Sequence, residues 1–382
     1  MTTTYNLPRQ LIFGNGSRSQ LPELLDRLQD APRALLVASR SALSSAPGQE
    51  LLAALGSRLA DTDTTIRHDP TVASVDALRH HLDTSHATIV VALGGGSVID
   101  AAKTAAFLAT ATAPTADFLN GRAAMPAHGA LPCVALPTTA GTGAESTRNA
   151  VLSDHDANVK KSLRHLDMLP IAAICDPDFT LNCPPDVTAA SGMDALTQAI
   201  ESYCSRNASN LTRPIAAQAA AMLLDALPHA VRRPDDLDSR NAVAEASMLT
   251  GLAFAQSGLG SVHGLAHPIG HLLNLPHGLV CAILLPHCLQ LNLELACATN
   301  QLQTLQLVQK LADACNAGTP QGLVDRIAML NRVVNIPTSF AELGLKPDHD
   351  SYILRNCRSG SMTANPVELP DDAILQLLNT LR

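Results

Sequence analysis

The sequence predicts an α/β domain built on a parallel sheet, followed by an all-helical domain. Three observations lead there. At 382 residues the chain exceeds the size at which one hydrophobic core stops growing, so two domains are the default. In the first half, short apolar runs alternate with helical patterns, the rhythm of strand–helix–strand units with right-handed crossovers. After about Cys175 the β-branched runs thin out and long Ala/Leu helical patterns take over. The boundary is placed near Asp176-Pro177-Asp178, giving domains 1–176 and 177–382.

Taken in order, Gln10-Leu11-Ile12-Phe13 is a strand entering the turn Gly14-Asn15-Gly16-Ser17, and a helix follows from about Leu21 to Leu28. Ala34 to Ala38 is a buried strand ending at Ser39-Arg40, followed by a helix over roughly Gln49 to Leu59. Thr64 to His68 reads as the next strand and Val75 to His86 as a helix. Ala87 to Leu93 is almost uninterrupted and apolar, as strands buried on both faces tend to be, and Cys133 to Pro137 is another such strand. In the second half, helical periodicity covers Pro185–Ser205, Arg213–Ala226, Ser239–Gln256 and Val262–Leu273, with more to follow.

Composition narrows the function. Apolar residues make up 46%, with no Trp and only six Phe and three Tyr, so the cores are aliphatic. A net charge of −8 argues against nucleic acid as a partner. It leaves room for an anionic small substrate bound by a local cation. Nine scattered cysteines without a C-x-x-C pair fit a reducing cytosol, with most thiols acting as small core residues. No hydrophobic leader stands at the N-terminus, and no apolar run approaches the roughly 18 residues that span a bilayer. The expectation is a soluble cytoplasmic protein without membrane contact.

Two loops and one histidine block carry chemistry. Gly94-Gly95-Gly96-Ser97, running on to Asp100 and Lys103, follows a strand directly and opens a helix. Glycines let the backbone approach a pyrophosphate, and free N–H groups at a helix start hold its charge. A tight turn would need the same residues, and the spacing is not G-x-G-x-x-G. Pro137 to Glu145 packs Thr138, Thr139 and Thr142 between glycines after the next strand. Two such loops at adjacent strand ends suggest one shared ligand. His263, His267 and His271 lie four apart and share a helix face, and His277 follows. Neutral imidazoles converging from one side suit a metal, though a buried helix with satisfied histidines remains open from this block alone.

Together these motifs, with Gly192-Met193-Asp194-Ala195-Leu196-Thr197, resemble the iron-containing (group III) alcohol dehydrogenase family, in its order and spacing along nearly the whole chain. The resemblance implies a Rossmann-like N-terminal domain that binds NAD(P) and a helical C-terminal domain, an architecture related to dehydroquinate synthase. It implies a divalent metal, Fe²⁺ or Zn²⁺, in the cleft between them, and a homodimer or higher oligomer. The implied ligands are Asp194, the residue four further on, His263 and His277. Here that second position is Gln198 rather than His. A neutral amide oxygen is a harder and weaker ligand than imidazole, so loose metal binding is expected. Glu201 lies near the same face, where it could compensate for the changed ligand, though a solvated helix glutamate is the favoured reading.

By the same resemblance His267 lies near the nicotinamide as a proton relay and Lys160 near the cofactor, while His271 and His287 are structural. Ser39 and Arg40 stand where NAD-preferring relatives tend to place an Asp, which favours NADP. Arg358, with Ser359 and Ser361, is a candidate for an anionic group on the substrate. The function that follows is reversible reduction of a small aldehyde to a primary alcohol. A metal-independent reductase resembling maleylacetate reductases and a non-catalytic nucleotide-binding protein are the alternatives.

Overall fold

The computed structural model describes residues 3–181, 183–358 and 360–382. The chain divides into two compact units, Met1–Cys183 and Pro184–Arg382.

The first unit is a parallel six-stranded sheet in the order β1-β8-β5-β4-β2-β3. Its strands are β1 (Gln10–Phe13), β2 (Ala34–Ala38), β3 (Leu59–Asp63), β4 (Ile89–Gly94), β5 (Cys133–Pro137) and β8 (Ala172–Cys175). The helices between them are α1 (Leu21–Leu28), α2 (Arg40–Ser44), α3 (Ala46–Leu55), α4 (Val72–Thr84), α5 (Gly96–Phe107) and α6 (Thr115–Leu119). A separate antiparallel hairpin joins β6 (Asn149–Asp154) to β7 (Val159–Arg164).

Alternation along the central strands builds two cores. Leu35, Val37, Val90, Ala92 and Ala135 face one way, with residues of α4 and α5. Leu36, Val91, Leu93, Val134 and Leu136 face the other, with residues of α1 and α3. All ten strand residues are buried, which is why β2, β4 and β5 read as continuous apolar runs.

The third strand lies earlier than expected, at Leu59–Asp63 rather than Thr64–His68. Asp63 ends it by accepting hydrogen bonds from the backbone N–H and hydroxyl of Thr65, while His81 bridges Asp61 and Asp63. The sequence pattern also passed over β8 and the hairpin. Asp176 is buried and accepts from the backbone N–H groups of Gly16, Arg18 and Asp178 and from the Arg18 guanidinium. That network ties the residues at the expected 176/177 boundary into the first unit, and the compact units meet at 183/184 instead.

The second unit is helical among its described residues: α7 (Pro185–Cys204), α8 (Thr212–Arg232), α9 (Leu237–Ser257), α10 (Ser261–Leu273), α11 (His277–Ala298), α12 (Leu302–Ala314), α13 (Pro320–Val333), α14 (Asp350–Asn356), α15 (Gly360–Thr363) and α16 (Asp371–Thr380). One helix departs from the expectation about apolar runs. α11 is long and apolar enough by composition to cross a membrane, yet 67% of its most apolar window is buried inside the protein. It is a core helix packed on α7, α10 and α13.

Candidate active site

Three helices of the second unit converge on one cluster. α7 presents Asp194 and, a turn later, Gln198, both buried. The Gln198 Nε2 donates to Asp194 Oδ2 over 3.1 Å. His263, near the start of α10, brings its Nε2 to 3.4 Å from Asp194 Oδ1. His277 opens α11, its Nε2 3.9 Å from the same oxygen. The structure thus brings together all four residues singled out as ligands.

Two further residues belong to the cluster, Cys281 unexpected and Glu201 against the favoured reading. Cys281, one turn after His277, places its Sγ 3.5 Å from His277 Nε2 and 4.0 Å from His263 Nε2. The ligand-type atoms of Asp194, His263, His277 and Cys281 all lie within 4.8 Å of one another. Cys281 was counted among the small core thiols, although its i, i+4 spacing to His277 is the same signal that paired Asp194 with Gln198. Glu201 is not the solvated glutamate anticipated. It is buried, its Oε2 accepts from His263 Nδ1 at 2.7 Å, and its Oε1 accepts from the Val262 N–H at 2.6 Å. With Nδ1 committed to a carboxylate, His263 turns its Nε2 into the cluster.

Local structure explains why these side chains meet. α10 starts without a side-chain cap of its own; Asn365 Oδ1 accepts from Ser261 N–H and Glu201 from Val262 N–H, satisfying two of its orphan donors. A Cβ on Gly260 would sit 2.8 Å from that Asn365 oxygen and 2.9 Å from Glu201 Oε1, so a side chain there would displace the two acceptors that cap the helix. Asn274 ends α10 in the left-handed region at φ 50°, and the chain re-enters helix at His277. Gly278 lets α11 press onto α7, since a Cβ there would lie 2.3 Å from the Ala190 carbonyl oxygen.

The cluster favours positive charge. Burial alone would raise the Asp194 carboxyl, but the adjoining His263 imidazole and the charge of His277 hold it below the usual carboxylate range. Burial alone would lower His263, but Cys281, Asp194 and Glu201 push it well above an ordinary imidazole. Burial pushes the Cys281 thiol up to about 12, with His263 opposing. Asp194 Oδ1 and Gln198 Oε1 are buried acceptors with no hydrogen-bond donor. Buried oxygens left without donors are costly, and a divalent cation among Asp194, His263 and His277 would satisfy the Asp194 oxygen. The residues present therefore fit the metal that the resemblance implies.

His267 is half-buried and stacks on His277, ring centroids 5.1 Å apart. His271 is exposed and stacks on Tyr352, away from the cluster. His287 faces the Thr338 carbonyl oxygen, in keeping with a structural role.

In the first unit, the candidate cofactor loops line up at the carboxyl ends of adjacent parallel strands. The Ser39 N–H donates to the Leu93 carbonyl, and the Thr138 N–H to the Gly94 carbonyl. Gly95 and Gly96 open α5 against the second loop. Their missing Cβ atoms would lie 3.3 Å from Thr139 Oγ1 and 2.8 Å from Thr142 Oγ1. Ser39 caps α2 through its hydroxyl, and Arg40 follows it exposed.

Asp100 and Lys160 stand differently from the other cofactor candidates. Asp100 accepts from the Val151 N–H at 2.9 Å and pairs with Lys103 at 3.0 Å. Buried Lys103 also donates to Ala144 O and Thr147 Oγ1. This pair binds α5 to the second loop and to β6, a positioning arrangement rather than a free carboxylate. Lys160, on β7 opposite Ser153, holds Asp69 at 2.7 Å.

Arg358, a candidate for an anionic group, is engaged within the tail. Its guanidinium donates to Leu369 O at 2.6 Å and pairs with Asp371, so its donors are turned to α16 and the chain before it. Ser359, named with it, lies outside the described residues.

Residues 8–177 match the family described as iron-containing alcohol dehydrogenase, and residues 188–381 match its C-terminal domain. Alcohol dehydrogenase 4 of Saccharomyces cerevisiae (strain YJM789) is 30% identical over 98% of this chain and 97% of its own. The probable alcohol dehydrogenase EutG of Salmonella typhimurium is 37% identical over 74% of this chain and 70% of its own. The crystal structure of sulfoacetaldehyde reductase from Bifidobacterium kashiwanohense in complex with NAD⁺ is 30% identical, with a TM-score of 0.92 over 100% of this chain and 99% of that one. The chain belongs to the iron-containing alcohol dehydrogenase family. Its class is that of the alcohol dehydrogenases, oxidoreductases acting on CH–OH groups.

Proposed function

We propose that the protein reduces a small aldehyde to a primary alcohol, reversibly, with a divalent metal at the helical cluster and NADP(H) preferred over NAD(H). The observation that supports the metal is the buried Asp194 Oδ1, which faces two imidazole nitrogens and lacks any hydrogen-bond donor. When bound, the cation polarises the carbonyl and offsets developing alkoxide charge, while the nicotinamide carries the hydride.

The chain's own residues do the rest. Asp194, His263 and His277 hold the cation, Glu201 fixes the His263 ring, and Gln198 fixes the Asp194 carboxylate. Gly94 to Ser97, with Thr138, Thr139 and Thr142, receive the pyrophosphate and ribose, and the Asp100–Lys103 pair keeps the two loops in register. His267, stacked on His277, moves the proton to or from the alcohol oxygen. Exposed Arg40 at the end of β2, with Ser39 instead of a carboxylate before it, suits a 2′-phosphate.

The test is a panel of short aldehydes, with sulfoacetaldehyde as the anionic member, assayed with NADPH and NADH. Each assay is run after chelation and after return of Fe²⁺ or Zn²⁺. Turnover that disappears with chelator and returns with metal is expected. Turnover untouched by a chelator that has stripped the protein of metal overturns the metal role, and no aldehyde reduced under any metal overturns the reductase. Arg40→Asp is expected to lower kcat/KM for NADPH by at least tenfold relative to NADH; an unchanged ratio removes Arg40 from the cofactor site.

A further inference from the structure

We infer that Cys281 is a thiolate ligand of the metal, so that this protein's donor set is Asp194 Oδ1, His263 Nε2, His277 Nε2 and Cys281 Sγ. The inference rests on the proposed reading that the helical cluster holds a divalent cation.

Three independent features carry it. The first is spacing: bonds of roughly 2.0–2.3 Å from a tetrahedral cation to N, O and S donors separate those donors by about 3.3–3.6 Å. The separations here are 3.4 Å from Asp194 Oδ1 to His263 Nε2 and 3.9 Å to His277 Nε2. The sulfur lies 3.5 Å from His277 Nε2 and 4.0 Å from His263 Nε2. All four donor atoms lie within 4.8 Å of one another.

The second is burial with direction. Cys281 has no measurable exposure, and its thiol faces the two imidazoles rather than the apolar side of α11. The unpartnered Asp194 oxygen shares the cluster. Among the other buried cysteines, none of those described joins such a group.

The third is the state of Gln198. Its amide nitrogen is used on Asp194 Oδ2, and its carbonyl, though buried without a donor, is a neutral oxygen, a weak ligand for a transition metal beside a thiolate. The site thus lacks a strong ligand from α7 after Asp194 and gains a charged one from α11. His277 and Cys281, at i and i+4, clasp the ion from one helix face. A thiolate is also softer than imidazole. The preference shifts accordingly, from the iron in the family's description toward zinc.

Cobalt is the probe. Wild-type protein stripped of metal and loaded with Co²⁺ is expected to show an intense sulfur-to-cobalt charge-transfer band in the near ultraviolet, with tetrahedral d–d bands in the visible. Cys281→Ala and Cys281→Ser lose the near-ultraviolet band, and Gln198→Ala keeps it. Zinc competes with Fe²⁺ for the wild-type site at least tenfold better than for the Cys281→Ser site. The wild-type spectrum decides even if the variants fold poorly. Cobalt bound one per chain without the charge-transfer band overturns the role of Cys281 and leaves the metal site standing. A protein that takes up no cobalt, zinc or iron overturns both.

Discussion

Glu201 and Glu145 are two buried carboxylates put to different uses. Glu201 accepts a hydrogen bond from His263 Nδ1 and caps α10, so it would act on a bound metal through its neighbour. Such outer-shell partners are worth roughly 10–100-fold in metal affinity. Glu201→Gln is expected to weaken zinc binding by about that factor, measured by competition with a chromophoric chelator; unchanged affinity would sink the role. Glu145 ends the second loop, fully buried, and burial raises its pKa to about 7, with its own backbone and Lys103 opposing. A carboxyl whose folded pKa is raised stabilises the fold below the unfolded pKa of 4.5 and loses that contribution as pH climbs through 7. The shift corresponds to ~3 kcal/mol. Glu145→Gln should therefore gain stability over wild type at pH 8 and not at pH 4, as read from urea unfolding at the two values. An equal change at both would show that Glu145 does not carry the shift.

At the scale of the element, the site depends on backbones approaching closely. α11 lies against α7 because residue 278 has no side chain, and its first turn carries His277 while its second carries Cys281. Gly278→Ala must push α11 away from the Ala190 carbonyl, 2.3 Å from the added carbon. The expected cost is roughly 1–3 kcal/mol in denaturant unfolding, typical of overpacking, with zinc affinity reduced as His277 and Cys281 move off. Retained affinity would mean that α11 can reposition without disturbing its ligands. α5 shows the complementary device. Its Gly96 makes room for Thr142, and its buried Lys103 reaches Ala144 O and Thr147. The charge is tolerated inside the protein because Asp100 and two further oxygens surround it.

At the scale of the whole molecule, the chain keeps its two kinds of chemistry in separate compact units. The glycine and threonine loops belong to the parallel sheet of the first, and all the candidate metal ligands to the helices of the second. Ligands that bind only the folded state stabilise the part that holds them. Hydrogen exchange should therefore separate the two. Chelation is expected to speed exchange around 194–201, 261–267 and 277–281, while NADPH slows it around 94–100 and 138–145. Metal-dependent protection confined to the sheet unit would contradict the assignment of the cluster.

Much of this was legible in the amino-acid order alone. The strands β2, β4 and β5 could be read because burial on both faces leaves them continuously apolar. Asp194, Gln198, His263 and His277 could be named because the family resemblance supplied residues far apart in the chain. The polar edge strand β3 was misplaced, since its end is set by Asp63 hydrogen-bonding to Thr65 rather than by hydrophobicity. The chemistry of Cys281, Glu201 and Arg358 was decided by tertiary structure. A thiol, a glutamate and an arginine look alike in sequence whether solvated or engaged. Only the packing of α10 and α11 on α7, through Gly260 and Gly278, turns the Cys281 sulfur and the Glu201 carboxylate toward His263. In the same way, only the fold of the tail turns Arg358 to Asp371.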